Sequence, residues 1–327
     1  MGPPPVAAGD DGFGFPMNKK ITVHIPATSA NMGPGFDVLG VALHLYNEVS
    51  LSSDPHGFSH SYHAPQLAVD IEGEGTAILP RNPTNLVVRA AYKVFEKAGR
   101  WPKELHVKLV NRIPLSRGLG SSSAAALGGI CAANALTGNT LPEETLLEMA
   151  VAMEGHPDNV VPAMSGGFCI SGIIDHEVRY LKFPAPASLR AVVCSPDRPL
   201  ETQEARRVLP SRVPFSAAVF TSSRVAFLVG AILQKRYEWL SFAMEDVLHQ
   251  PSRAKLIPGL NEAMREARNA GAYGSALSGA GSSVIALAKP GATANHVGHA
   301  MQKAFAANHV PSRFRVLALE NKGVKIS

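Results

Sequence analysis

Pro114-Leu-Ser-Arg-Gly118-Leu-Gly120-Ser-Ser-Ser-Ala-Ala125 lies between two stretches of different period. Before it, Leu105, Val107 and Leu109 alternate with polar residues, the pattern of a half-buried strand. After it, a Ser- and Ala-rich run to Leu136 has the small side chains of a tightly packed helix. The segment therefore predicts a strand–loop–helix junction. Glycines at 118 and 120 permit positive φ, so successive N–H groups can turn inward as a nest, and the following helix adds the positive end of its dipole. Such a loop suits a phosphate, and the hydroxyls of Ser121, Ser122 and Ser123 can reach a phosphate oxygen or a metal ion. A Walker loop needs Gly-Lys-Ser/Thr, and no lysine is present; a dinucleotide fingerprint needs a third glycine where Ser123 stands; a hydrolase elbow needs a glycine after its serine. The bland alternative is a close helix–sheet contact that tolerates small residues.

Two more loops share this character. Pro26-Ala-Thr-Ser-Ala-Asn31-Met-Gly-Pro-Gly35-Phe-Asp37 follows an alternating strand, Ile21, Val23 and Ile25, and offers an amide and a carboxylate for a small polar ligand. Its competing reading is an Asx-type turn in which Asn31 and Asp37 bind only local backbone. Ser278-Gly-Ala-Gly-Ser-Ser283 is a third potential anion nest, weak alone because tight turns look alike.

Composition narrows the class. A chain of 327 residues with 46% hydrophobic and 17% charged residues builds about two domains' worth of core. The net charge of +5 is spread without a polybasic run, which excludes a nucleic-acid arm or a membrane patch. Cys131, Cys169 and Cys194 lie far apart in apolar surroundings, which speaks against a disulfide framework or zinc site and for a reducing, cytoplasmic setting. No apolar run reads as reaching the ~18 residues of a membrane span. Residues 1–16, rich in Gly and Pro, read as a disordered extension rather than a secretion signal or transit peptide, with the fold starting near Met17.

Along the chain, Asn85 to Ala98 has helical spacing and ends at Gly99, and residues 52–68 read as an exposed loop. Thr140 with Glu143 fits a capping box opening a helix that runs to Gly155. Phe168–Ile174 reads as a strand, and Phe183–Ala187 as the linker between lobes at 17–182 and 188–327. Beyond it come a strand at 190–194, helices near 215–234, 237–248 and 258–270, a strand at 283–288, a helix at 293–307 and a strand at 314–319. The fold class is α+β in two lobes.

In this order and at these distances, the three loops resemble the motifs of the GHMP kinases (galactokinase, homoserine kinase, mevalonate kinase, phosphomevalonate kinase). Pro114 to Ala125 is similar to the family's Pro-x-x-x-Gly-Leu-Gly-Ser-Ser loop, with Ser123 in place of a common alanine. The resemblance runs from about Lys19 to Leu319. Thr28-Ser-Ala-Asn31 leading into Gly35-Phe-Asp37, Glu154-Gly-His156-Pro-Asp158-Asn159, Thr202-Gln-Glu-Ala-Arg206 and Arg253-Ala-Lys-Leu-Ile-Pro258 look like the homoserine kinase branch.

That resemblance implies a nucleotide-binding first lobe with a left-handed βαβ unit and a ferredoxin-like second lobe. It also implies a homodimer, and transfer of the terminal phosphate of ATP to the hydroxyl of L-homoserine in threonine biosynthesis. It assigns ATP to Asn85, Pro114, Leu115, Ser116, Arg117, Gly118, Leu119, Gly120, Ser121, Ser122, Ser123 and Ala124, and Mg2+ to Ser122 with an acid on the next helix, Glu154 for its place just before the Asp-Asn turn, with Glu148 as the alternative. Homoserine falls to Asn31, Asp37, Asn159, Thr202, Arg206 and Arg253. Two guanidiniums can clamp a carboxylate while Asp37 takes an ammonium. Arg206, Asn159 and Asp158 are the catalytic candidates, with Asn159 facing substrate and Asp158 turned elsewhere; His156, beside Pro157, reads as structural. A mevalonate-type kinase remains the alternative within the class. A sensor that has lost transfer would show damage to the phosphate loop or its acid, and both are intact here.

Overall fold

The computed structural model describes residues 19–54 and 57–327; the extension at 1–16 and a start at Met17 lie outside the described residues. Two long strands, Lys19–Asn31 and Gly35–Ser53, form the spine of a seven-stranded sheet. They pair antiparallel from Lys19↔Ser53 to Asn31↔Gly35. Gly35–Ser53 serves two neighbours: Glu48–Ser52 pairs with Glu104–Asn111, and Leu39–Val41 pairs with Phe168–Ile174.

The strand Gln66–Gly73 begins inside the span 52–68 expected to be an exposed loop; it runs parallel to Glu104–Asn111, with helix Leu86–Ala98 between them in sequence. Its signal is present, since Val69 and Ile71 are buried while their neighbours are not. A short edge strand, Phe58–Ser59, pairs with Trp101–Pro102 inside what reads as an open loop.

Helix Leu86–Ala98 starts at Asn85, whose side chain accepts from Val87 N–H, and stops at Gly99 in the left-handed region. The next helix, Ser121–Leu136, is buried on nearly all sides between that helix and the first two strands. This is why it is built of Ser, Ala and Gly: a Cβ on Gly129 would lie 2.4 Å from the carbonyl oxygen of Val87. Helix Glu143–Glu154 departs from expectation at its start. Pro142 occupies the cap position and no side chain caps it, so the Thr140–Glu143 box does not form.

The second lobe is a four-stranded antiparallel sheet in the order Gly274–Leu277, Val284–Ala288, Arg190–Pro196, Ser312–Ala318, backed by helices Leu260–Asn269 and Ala292–Ala307. The order and the β-α-β-β-α-β sequence are those of a ferredoxin-like fold. The span 237–248 is a 3-10 turn and one short helical turn, Leu240–Ala243, rather than a continuous helix. The linker at 183–187 is pinned, because Asn321 exchanges two hydrogen bonds with the backbone of Ala185. The chain's last strand, Lys325–Ile326, returns to pair with Val23 and His24 in the first sheet, although the sequence division places it in the second lobe.

One helix corrects the membrane reading. Phe215–Leu233 is long and apolar enough by length and composition to cross a membrane, with a mean hydropathy of 1.6 over its apolar window. Small residues and hydroxyls separate its large apolar side chains, so no unbroken apolar run marks it in the sequence. Leu228, Ala231 and Ile232 pack inward, while Phe215, Val219, Phe227 and Leu233 are exposed. Arg224 in its middle is stacked on Phe220 and paired with Glu245.

Candidate active site

The three glycine–serine loops meet at a cleft of about 350 Å3. The phosphate loop is oriented by the carbonyls of residues 116–119, which point away into other segments. Ser116 O accepts from Leu200 N–H, Arg117 O from Ser283 N–H, Gly118 O from the Ser278 hydroxyl and Leu119 O from Thr28 N–H. The N–H groups of residues 118–123 have no acceptor among the described residues. A row of bare donors at a helix N-terminus is an anion cradle. Gly118 and Gly120 sit at φ 72° and 69°. A Cβ at these positions would lie 2.0 Å from Ser278 O and 2.1 Å from Thr28 Oγ1, so the cradle's tightness, as well as its φ, requires glycine.

The next helix supplies the acid. Glu154 accepts from Ser122 Oγ at 2.6 Å and from Ser123 Oγ at 2.7 Å, one hydroxyl on each carboxylate oxygen. Glu148, the other candidate, is exposed and is not on the cleft wall. A carboxylate and a hydroxyl form a hard-oxygen pair of the kind that suits a small divalent cation.

Across the cleft, Arg206 on helix Thr202–Arg207 makes a bidentate pair with Asp37, at 2.8 and 3.0 Å. Asp37 itself sits at φ 57°, and its N–H donates to Asn31 Oδ1. The other end of the Asn31 amide donates to Gly279 O. Asn31 therefore ties the first loop to the third and aims Asp37, with both ends of its amide already used. Phe36 lies under both guanidiniums, about 5.5 Å from Arg206 and 5.3 Å from Arg253.

Arg253 is 1% exposed and faces no carboxylate within ion-pair distance among the described residues. It donates to Ala205 O, Gly279 O and His249 Nδ1. Burial, together with the nearby Arg206 charge, pushes its pKa down to about 10. His249 is equally buried; its Nε2 lies 2.8 Å from Gly33 O, so this nitrogen carries the proton and Nδ1 is left to accept from Arg253.

Asp158 is 2% exposed, lines the cleft beside Asn159 and hydrogen-bonds His156 Nδ1 at 2.6 Å. It thus faces the cleft instead of turning elsewhere, and His156, read as structural, lines the wall beside it. Ligand atoms of Asp37, His156 and Asp158 lie within 4.8 Å of one another. Burial lowers the His156 pKa, but the hydrogen bond and charge of Asp158 outweigh it, so the net shift is upward. Asn159 Oδ1 accepts from Thr28 Oγ1, and Thr202 lines the cleft at the start of its helix.

Three of the expected nucleotide residues do not line this cleft. Asn85 is 3% exposed and its amide is consumed by the helix cap and Pro80 O. Leu115 lines a neighbouring cavity, and Ala124 is fully buried in the helix. Gln203, outside the expected set, also lines the wall; its place next to Thr202 within the Thr202–Arg206 segment is its signal in the sequence.

A bare phosphate nest, an acid holding two loop serines, and charged groups of both signs opposite them define a small-molecule kinase of the GHMP class. The model for the GHMP kinases N terminal domain matches residues 85–167, and that for GHMP kinases C terminal matches 228–307. A homoserine kinase from Carboxydothermus hydrogenoformans is 48% identical over 285 residues, 87% of this chain and 90% of that protein. One from Caldanaerobacter subterraneus is 40% identical, covering 94% and 95%. The crystal structure of homoserine kinase from Cytophaga hutchinsonii superposes with a TM-score of 0.83 at 32% identity, over 95% of this chain and 98% of that one. The chain belongs to the homoserine kinase family.

Proposed function

We propose that the protein transfers the terminal phosphate of ATP to the side-chain hydroxyl of L-homoserine, yielding O-phospho-L-homoserine for threonine biosynthesis. The observation carrying this reading is the pairing of opposite charges opposite the phosphate nest. A zwitterionic amino acid has a carboxylate for Arg253 and Arg206 and an ammonium for Asp37, and its side chain can then extend toward the nest. A mevalonate-type acceptor has no cation for Asp37.

Positioning and charge neutralisation supply most of the acceleration in phosphoryl transfer. In this reading the N–H groups of residues 118–123 hold the phosphates. Ser122 and Glu154 would hold Mg2+, which neutralises charge on the phosphate oxygens. Asn159 orients the attacking hydroxyl, and Arg206 stabilises negative charge developing on the transferred group. Asp158, held by His156, can accept the hydroxyl proton, which a loose transition state releases late.

The wider reading is a cytoplasmic homodimer with lobes at about 17–182 and 188–327. The exposed apolar side of helix Phe215–Leu233 supports the dimer. Arg224, ion-paired near the middle of that helix, opposes insertion into a bilayer, where an arginine at the centre costs about 2.5–3.5 kcal/mol.

A coupled ADP-release assay with ATP and Mg2+ across homoserine, mevalonate, galactose and shikimate tests the function. Homoserine-dependent turnover is expected; turnover of mevalonate but not homoserine refutes the assignment, and nucleotide binding without any product would mark a sensor.

A further inference from the structure

A second cavity, of about 320 Å3, adjoins the catalytic cleft. The two share Pro114 and Arg117 of the phosphate loop, but the second has none of the glycine nest in its wall. Its other side is the edge strand Ser312–Ala318, which contributes Arg313 and Arg315. Residues two apart on a strand share a face. Phe314 between them packs into the second lobe's core, so both arginines stand on the sheet face turned toward the first lobe.

The charges in this cavity are not balanced. Arg315 is partly buried and Arg313 exposed, and neither guanidinium has a hydrogen bond or ion pair among the described residues. Glu74, at the exposed rim, pairs with neither. The third guanidinium, Arg117, has a 14% exposed side chain and holds Asp197 at 3.2 Å; that carboxylate is 80% exposed and can be given up to water. A partly buried guanidinium without an anion is held against its desolvation cost, and three in one cavity repel one another. A tetrahedral dianion presents enough acceptor oxygens for three forked donors, which a single carboxylate does not.

We propose that this cavity is a second anion site, which takes a small phosphoryl-bearing dianion through Arg313, Arg315 and Arg117 while nucleotide occupies the catalytic cleft. Neither Arg313 nor Arg315 belongs to the transfer machinery, so the site can be removed without touching it.

The test is calorimetric titration of inorganic phosphate, and separately of the monoester O-phosphoserine, into full-length protein saturated with Mg2+ and a non-hydrolysable ATP analogue. One-site binding is expected, with the tighter of the two identifying free phosphate or an ester as the ligand. The Arg313→Ala/Arg315→Ala protein should bind at least about tenfold more weakly. Its homoserine turnover without added phosphate should stay within about twofold, as for a surface change. Arg313→Lys/Arg315→Lys keeps the charge and should retain measurable binding, which separates a lost site from a damaged fold. Absence of binding of both anions to the wild-type protein, undiminished binding in the alanine variant, or binding only when the analogue is omitted would each overturn the proposal; the last would make the cavity part of the nucleotide site.

Discussion

Arg206 grips Asp37 from the opposite side of the cleft, Nη2 to Oδ1 at 2.8 Å and Nη1 to Oδ2 at 3.0 Å. The pair links the first loop of one lobe to a helix of the other. A zwitterion can enter by exchange: its ammonium replaces the guanidinium at Asp37 and its carboxylate replaces Asp37 at Arg206, so neither protein charge is left alone.

Arg206→Ala should lower turnover by about 2–4 kcal/mol in barrier, as loss of a charge clamp does. Asp37→Ala should act chiefly by raising KM for homoserine. Each side chain is about one-third exposed, 36% and 34%, so the pair adds little stability, about 0–1 kcal/mol, and melting temperature should scarcely move in either variant. Steady-state kinetics beside thermal melts check this; normal kinetics in both would remove these residues from the site.

Glu154→Ala should remove nearly all turnover, by about 10²-fold or more, and raise the Mg2+ concentration needed for what remains. Glu148→Ala, on an exposed face, should be close to wild type. Mg2+ titrations of the two proteins discriminate them; equal losses would mean that the contact of Glu154 with Ser122 and Ser123 has no bearing on the metal.

Arg253 should behave as both a fold and a ligand residue. Arg253→Met leaves Ala205 O and His249 Nδ1 without their donor and Gly279 O with the Asn31 amide alone. Relief of the buried charge offsets part of this, leaving a net loss of about 1–3 kcal/mol. Homoserine should raise the wild-type melting temperature, since a ligand at 100 times its Kd adds about 2.7 kcal/mol. That rise should vanish in the variant. A variant that still responds fully to homoserine would show that Arg253 does not meet its carboxylate.

Glu320 sets an acid limit on stability. Burial opposes its ionisation, but hydrogen bonds from Tyr46, Lys322 N–H and His44, with the charge of Lys325, hold its pKa at about 2. The unfolded carboxyl titrates near 4.5, so between that pH and 2 the unfolded chain binds more protons and stability falls as pH falls. The contribution, roughly 2–3 kcal/mol at neutral pH, should be missing in Glu320→Gln. Urea unfolding at pH 7 and pH 3 reads it: the gap between wild type and variant should narrow at the lower pH, and a constant gap would contradict the assignment.

The phosphate loop was legible because its requirements are local. Positive φ at Gly118 and Gly120, small residues entering a helix, and hydroxyls at 121–123 are properties of neighbouring positions. The same holds for the helix bounded by Asn85 and Gly99. The capping box misled because Pro142 itself took the cap position. Strand Gln66–Gly73 is masked in the sequence because its short alternation adjoins a polar stretch.

The amino-acid sequence alone determined the two-lobed α+β class, the position of the anion nest and the set of polar groups available to a substrate, since each follows from residue type and short spacing. Only tertiary structure decided which groups meet: Glu154 rather than Glu148 at the serines, Asp158 facing the cleft, Asn31 spent on holding two loops, and Asp37 joined to Arg206 across 169 positions of chain. Those choices rest on burial and on pairing between distant segments, and a charge's partner is set by the packing of both lobes rather than by its neighbours in sequence.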